Sequence, residues 1–535
     1  MTSLDAERAQ QPFQCPVCAK RFTRHENLKR HSSVHSRVPG TLPCPHCPTT
    51  FARDDLRKRH IRRKHPPPPS NNAVVVAQPC ESPVSEITSV GESSGRVGTE
   101  EVPIYDDTVD GLASQDTLLY GNTVDGLTPD ELEHVLELYF DNVSPFVQFI
   151  HRSTFDRQTA FRPLVLGMAC LGVQYAPVDK PSGLWFKEAC SLLNGHDIQP
   201  GSPLWLPKIQ ALVLLELYAI MYACGNETID GLRMHSKSVE MARQAGLFNP
   251  LPARSAVTSD LDALWRDYVR IESHKRTCYA IYQVDSMLYH LLSLPRLLSH
   301  LEIGHGLPGP SQLWSEPTAA AIRQCLSASP ECDLTNVGAH SLFLILAFVL
   351  SSVRENSGWS SITGNPSFER GAALQSSGRI IESALHFIDE HDVTAVQAEV
   401  LFRVAMIDLL MWAPSHTSGI VETSLNTAIA AAAYLGTRPF SVPADLMEPL
   451  ESHINWFLAY LEQDVDYQRE PPWVTMYAFR AVLVGLELIR GGSLAPREDL
   501  GFIDFESMLV WARGAFGKRS RWEVGRLIVQ NLDQL

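Results

Sequence analysis

At 535 residues and 44% hydrophobic, the chain is long enough for two or three folding units and apolar enough to bury a large core, which excludes a disordered or fibrous polymer. Its net charge of −15 excludes a nucleic-acid surface spread over the whole molecule. That charge is unevenly placed: residues 1–65 carry 14 Lys and Arg against 5 Asp and Glu, a local +9 that leaves −24 on the remainder. A small basic head on an acidic body is the asymmetry of a protein that touches DNA at one end.

The chain opens on a polar stretch, Met1 to Gln14, without the apolar segment of a signal peptide. The longest unbroken apolar run, Leu342 to Leu350, falls well short of the roughly 20 residues that span a bilayer, so no membrane partner is expected. Seven of the 11 cysteines (Cys80, Cys170, Cys190, Cys224, Cys278, Cys325, Cys332) are scattered and read as free thiols in a reducing compartment.

The other four belong to two ligand sets: Cys15-x2-Cys18-x12-His31-x3-His35, and Cys44-x2-Cys47-x12-His60-x4-His65. Zinc takes four thiolate or imidazole donors in a tetrahedron. Two cysteines three apart supply half of it from a tight β-turn, and two histidines four or five apart close it from one face of a helix. Phe13, Phe22 and Leu28 furnish a small apolar core for the first set, Leu42 and Phe51 for the second. Cores this small do not hold a fold alone, so two structural Zn2+ ions are expected to drive folding, with apparent free energies of about 10–16 kcal/mol.

These residues resemble the Cys2His2 finger family at 13–35 (finger one) and 42–65 (finger two). The resemblance implies small ββα units whose helices lie in the major groove of double-stranded DNA. On the family's helical positions −1, 2, 3 and 6, finger one presents Arg24, Glu26, Asn27 and Arg30, and finger two Arg53, Asp55, Leu56 and Arg59. Arginine pairs bidentately with guanine and asparagine with adenine, while Asp55 holds Arg53. Finger one then reads 5′-GAG-3′ and finger two 5′-GNG-3′, giving a core near 5′-GNGGAG-3′. Such finger pairs resemble those of fungal regulators of alcohol and carbon metabolism. Two departures bear on finger two. The inter-finger linker Ser36-Arg37-Val38-Pro39-Gly40-Thr41-Leu42-Pro43 is one residue longer than the family's. Arg57 stands at helix position 4, where the family places a core leucine. The register of finger two on DNA is therefore open. The run Arg57 to His65 reads as a phosphate-contacting face and a nuclear localisation signal.

Residues 66–127 read as a disordered linker. Pro66 to Pro69 is a stiff polyproline spacer. From Pro79 to Leu127 Arg96 is the single basic residue among many Ser, Thr, Gly, Asp and Glu. The pentapeptide Thr-Val-Asp-Gly-Leu occurs twice there, at 108–112 and 123–127. Acidic residues interleaved with Leu, Val and Tyr fit a coactivator-binding segment; composition alone favours a solvated acidic linker.

At Thr128 helical patterning begins. Thr128-Pro129-Asp130-Glu131 combines a capping hydroxyl, proline at the first helical position and glutamate three residues past the cap. Leu132, Val135, Leu136, Tyr139, Phe140 and Val143 follow on one face. Helical segments are predicted at 209–222 (deep in the core), 261–294, 342–353, 376–388, 395–412 and 505–516. The segment 128–535 reads as one large all-α domain with a subdivision near 310–340. The run Leu138 to Asp156, the segments 162–172, 209–222 and 231–247, and Lys275 to Arg296 resemble the fungal-specific transcription factor domain over roughly 130–310. That family is helical and regulatory, and usually follows a six-cysteine zinc cluster; here the finger pair takes that place. The resemblance implies a nuclear regulator of RNA polymerase II genes, including metabolic or secondary-metabolite clusters.

Catalytic signatures are missing from 128–535: no His-Glu-x-x-His, no Gly-x-Ser-x-Gly and no Gly-x4-Gly-Lys. Gly304-His305-Gly306 reads as a turn, His151, His235 and His290 as packed or capping residues, and Trp265, Tyr279 and Tyr282 as core. No enzyme is expected. Two fingers read about six base pairs, too few to select one locus among 10⁶ or more sites, so a homodimer or a partner factor is expected as well. The competing reading, an adaptor whose fingers bind protein or RNA, lacks the exposed stacking aromatics of RNA recognition.

Overall fold

The computed structural model describes residues 13–14, 21–22, 42–45, 50–51 and 57 of the finger region, and residues 123–535 except 178–179, 196–197, 200, 253–259, 316–337, 364–377, 379–380, 386–392, 411–420, 436–443 and 464–468. The chain divides into two compact units, Met1–Thr99 and Glu100–Leu535.

In the first unit, β1 (Phe13–Gln14) pairs antiparallel with β2 (Arg21–Phe22), Phe13 opposite Phe22. β3 (Leu42–Pro43) pairs likewise with β4 (Thr50–Phe51), Leu42 opposite Phe51. In each ribbon two of the residues predicted for the apolar core stand opposite one another in register.

The second unit is helical. Its main elements are α1 (Pro129–Asn142), α2 (Arg162–Gly172), α3 (Ser182–Gly195), α4 (Trp205–Leu217), α5 (Glu227–Gln244), α6 (Leu261–Leu292), α7 (Ala339–Thr363), α8 (Val393–Leu410), α9 (Leu425–Leu435), α10 (Ala444–Glu462), α11 (Pro472–Arg490), α12 (Phe505–Gly517) and α13 (Glu523–Leu532). Two short helical turns, His300–Glu302 and Ser311–Ser315, lie between α6 and α7 among the described residues.

The predicted start of α1 is present as a capping box. The Glu131 amide donates to Thr128 Oγ1 (3.3 Å) and the Thr128 amide to Glu131 Oε2 (2.8 Å). That amide, with the Lys180 ammonium 2.9 Å from Oε1, holds the Glu131 carboxyl down at about 2. Leu132, Val135, Leu136 and Tyr139 turn inward, as their spacing requires. α1 and α2 approach so closely that a Cβ on Gly172 would lie 2.1 Å from the Val135 carbonyl oxygen. Only glycine permits that contact.

α4 is buried on every side from Lys208 to Leu217. Its continuation Tyr218–Ala223 widens into a π-helical turn closed by Cys224 at φ 52°. The predicted helix 209–222 thus exists with a change of pitch, which carries the Tyr218 hydroxyl to Ser182 Oγ (2.9 Å) and the Tyr222 hydroxyl to Tyr175 Oη (2.8 Å). Trp205–Ala223 and Pro472–Arg490 are long and apolar enough to cross a membrane, yet both are mostly buried within this unit. Helices hydrophobic all round belong to a core of this size.

The 32-residue α6 runs through the centre. α4, α5 and α7 pack against it, α7 packs along α8, and α10 and α11 continue the layer. Two expectations need correction. No subdivision appears near 310–340: α7, beyond that segment, packs on α6, before it, and both belong to one compact unit. The disordered linker does not extend to 127: Val124 is 2% exposed in the core cluster, and Leu127 packs against it. Composition registers the exposed Thr, Asp and Gly of that segment but not the one valine that finds a seat.

Candidate nucleic-acid interface

The predicted interface begins with the two ribbons. β1 and β2 bracket residues 15–20, in which Cys15 and Cys18 fall; β3 and β4 bracket 44–49, which hold Cys44 and Cys47. Cys44 follows β3 directly, and its thiol is free and buried, at 6% exposure. A buried thiol beside a two-stranded ribbon, with a second cysteine three residues on and two histidines at helical spacing, is a donor set that suits Zn2+ and no harder cation. Arg57 is helical and partly buried, so the position at which the family's leucine is replaced lies on a helix. The remaining expected zinc ligands, Cys15, Cys18, His31, His35, Cys47, His60 and His65, lie outside the described residues. So do the expected base contacts Arg24, Glu26, Asn27, Arg30, Arg53, Asp55, Leu56 and Arg59, and linker residues 66–122. Among the described residues no three His, Cys, Asp or Glu side chains gather to hold a metal.

In the helical unit, ionisable groups are paired with one another in the interior. Glu216, His235 and Asp285 form a buried row from α4, α5 and α6, with His235 Nδ1 3.3 Å from Glu216 and Nε2 3.1 Å from Asp285. Burial opposes charge on this imidazole, but the Glu216 and Asp285 carboxylates outweigh it and raise His235 to about 10. Burial raises Glu216 in turn. Asp285 also accepts from the Leu297 and Leu298 amides (2.8 and 3.3 Å), pinning the chain beyond α6.

A second cluster closes the C-terminal end of α6. Arg354 and Arg480 both donate to the His290 carbonyl (3.2 and 3.1 Å), countering the negative end of the helix. His290 Nε2 lies 2.6 Å from Asp408, while burial and Arg480 lower the imidazole to about 3. A third, Arg519–Glu470, is shared with Tyr460 and Thr475.

These histidines are packed, as predicted. His151 meets Trp265 and Trp314 edge-on, and His305 Nε2 donates to the Leu247 carbonyl; the Gly304-His305-Gly306 stretch runs without the predicted turn. Tyr279 and Tyr282 are buried and Trp265 is half-buried. A cavity of about 20 Å³ between Phe146, Phe343, Trp473 and Tyr477 has room for a water molecule. Sequence reasoning singled out neither Glu216, Asp285 and Asp408 nor Glu470 and Arg519. The ion pairs that join them, Glu216–His235, His235–Asp285, His290–Asp408 and Arg519–Glu470, link different helices or segments at separations no local spacing encodes.

Comparison with known proteins agrees with this division. Residues 13–35 and 42–65 match the C2H2-type zinc finger family, and residues 136–362 match the fungal specific transcription factor domain, extending beyond the 130–310 of the sequence resemblance. These are families of transcription factors, not of enzymes. Over 322 residues, 58% of this chain and 52% of the relative, the sequence is 27% identical to a zinc finger protein of Schizosaccharomyces pombe. Over 50 residues, 9% of this chain and 6% of the relative, it is 44% identical to the nicotinate catabolism cluster-specific transcription factor of Emericella nidulans. Over 48 residues, 9% of this chain and 25% of the relative, it is 40% identical to a transcriptional regulator of Saccharomyces cerevisiae. The chain thus spans about half the length of the first relative and a smaller part of the others. No solved structure matches it.

Proposed function

The chain belongs to the fungal Cys2His2 zinc-finger proteins that carry a fungal-specific transcription factor domain, and from that premise we propose that it is a nuclear, sequence-specific regulator of RNA polymerase II genes. The observation that carries the reading is the tandem of complete ligand sets, each with arginines at positions −1 and 6 of its helix, on a head of charge +9. Each ligand set holds one structural Zn2+, which folds a ββα finger from too small an apolar core.

Arg24 and Arg30 then reach the guanines and Asn27 the adenine of 5′-GAG-3′, while Glu26 lies beside them. Arg53, steadied by Asp55, and Arg59 reach the guanines of 5′-GNG-3′, with Leu56 over the unread base. The DNA core is near 5′-GNGGAG-3′. The basic run Arg57 to His65 adds phosphate contacts. Because six base pairs recur throughout a genome, a second copy of the chain or a partner factor on an adjacent site supplies the missing selectivity. The acidic stretch before the helical unit is the segment suited to a coactivator. The cluster-specific relative from Emericella nidulans, alike over 50 residues, favours a clustered set of metabolic genes as the target.

The test is in vitro site selection on random duplex DNA with the zinc-loaded full chain. Enrichment of a GGAG-containing core, lost with EDTA and with Arg24→Ala, is the expected result. A folded, zinc-loaded protein that enriches no duplex sequence would sink the DNA reading and favour fingers that bind protein or RNA.

A further inference from the structure

The helical unit holds the second copy of the repeated pentapeptide, residues 123–127, in a built seat. Val124 is buried, at 2% exposure, and Leu127 packs against the core cluster. The other three residues contribute through backbone. The Thr123 carbonyl accepts from Arg162 Nη1 (2.9 Å) and the Asp125 carbonyl from the indole N–H of Trp185 (2.8 Å). The Leu127 amide donates to the Val124 carbonyl (3.0 Å), closing a turn that places Gly126 at φ +83°. Thr123 and Asp125 point their side chains into solvent.

The seat therefore reads a short code: a valine to fill it, a glycine to turn, a leucine to pack, and two carbonyls for Arg162 and Trp185. It also favours an occupant: Trp185 is 1% exposed with the segment in place, and loss of the segment uncovers the indole and takes away the acceptor of its N–H.

Residues 108–112 repeat that code at all five positions. We propose that the face built by Arg162 and Trp185 is a binding site for the Thr-Val-Asp-Gly-Leu motif, and that residues 108–112 of the same chain are its second ligand. The copy at 123–127 occupies it at rest because Thr128 caps α1 one residue later, so its docking closes no loop. Docking of 108–112 must close a loop over the intervening residues, a cost that grows with the logarithm of loop length. The exchange follows when 123–127 is drawn away, and it shortens the tether between His65 and the helical unit by fifteen residues, the spacing of the copies. The inference does not depend on what the fingers bind.

Gly126→Val tests it in the full chain. A Cβ at Gly126 meets nothing within 4 Å, so the substitution introduces no clash, yet a β-branched residue resists φ +83°. Hydrogen–deuterium exchange of this variant is expected to show faster exchange at 123–127 and slower exchange, by about tenfold, at 108–112. Gly111→Val alone leaves melting and exchange at 123–127 unchanged. The double variant, with neither copy able to turn, melts below Gly126→Val by more than Gly111→Val costs alone, and its Trp185 emission shifts to the red. Unchanged exchange at 108–112 in Gly126→Val, together with a double variant that melts where Gly126→Val melts, would overturn the proposal. Protection at 108–112 that vanishes on dilution would also overturn exchange within one chain.

Discussion

Residues 13–51 and residues 123–535 hold themselves together by different means. In the first, two short ribbons set Phe13 opposite Phe22 and Leu42 opposite Phe51 in register, and a buried thiol stands beside the second. In the second, a single contiguous cluster runs from Val124 to Leu532, threaded by paired charges that have no water to fall back on. A unit with so few apolar residues is expected to rely on a metal, whereas a unit with a large core can bury Arg519, Glu216 and His235 and still fold. The first signals its identity through fixed residues at fixed spacings. The second tolerates many sequences with the same apolar pattern.

Chelation should separate the two most sharply. EDTA, or Cys44→Ala for the second finger, is expected to remove the metal-linked folding energy, about 10–16 kcal/mol per finger, and abolish DNA binding. The helical melting transition followed by circular dichroism should stay where it was; a shift of that transition on chelation would mean that zinc also supports the helical unit. Arg519→Met makes the reverse cut. It strands the buried Glu470 carboxylate and should cost the helical unit about 3–5 kcal/mol in denaturant unfolding, while zinc content and duplex affinity persist.

Smaller effects refine the division. Arg30→Ala is expected to weaken binding to the preferred duplex by about 1–3 kcal/mol and relax selection at one guanine, as read by titration against single-base variants. An equal loss on every sequence would make Arg30 a phosphate contact. Thr128→Ala removes the capping box of α1 and should cost about 1 kcal/mol. A loss near zero in thermal unfolding would mean that the packing of Leu132 and Leu136, not the cap, fixes the start of that helix.

The start of α1 was legible because a capping box is a local device: Thr128, Pro129 and Glu131 act within one turn. So were the long apolar helices, whose burial follows from periodicity alone. The π turn after Leu217 was not legible, because it answers to Ser182 and Tyr175, residues far away along the chain. The linker boundary was misplaced for the same reason. Thr-Val-Asp-Gly-Leu looks solvated by composition, and only the presence of Trp185 and Arg162 across the fold makes 123–127 part of the core.

The sequence by itself determined the two ligand sets, the basic head and the division into fingers and helical unit, since metal ligation and charge depend on residue type and short spacing. Tertiary structure alone decided that Glu216, His235 and Asp285 form one buried row, that Arg354 and Arg480 close the end of α6, and that residues 123–127 have a seat in the helical unit. Those choices depend on which helices meet, and helices meet through summed packing over the whole core rather than through any local run of residues.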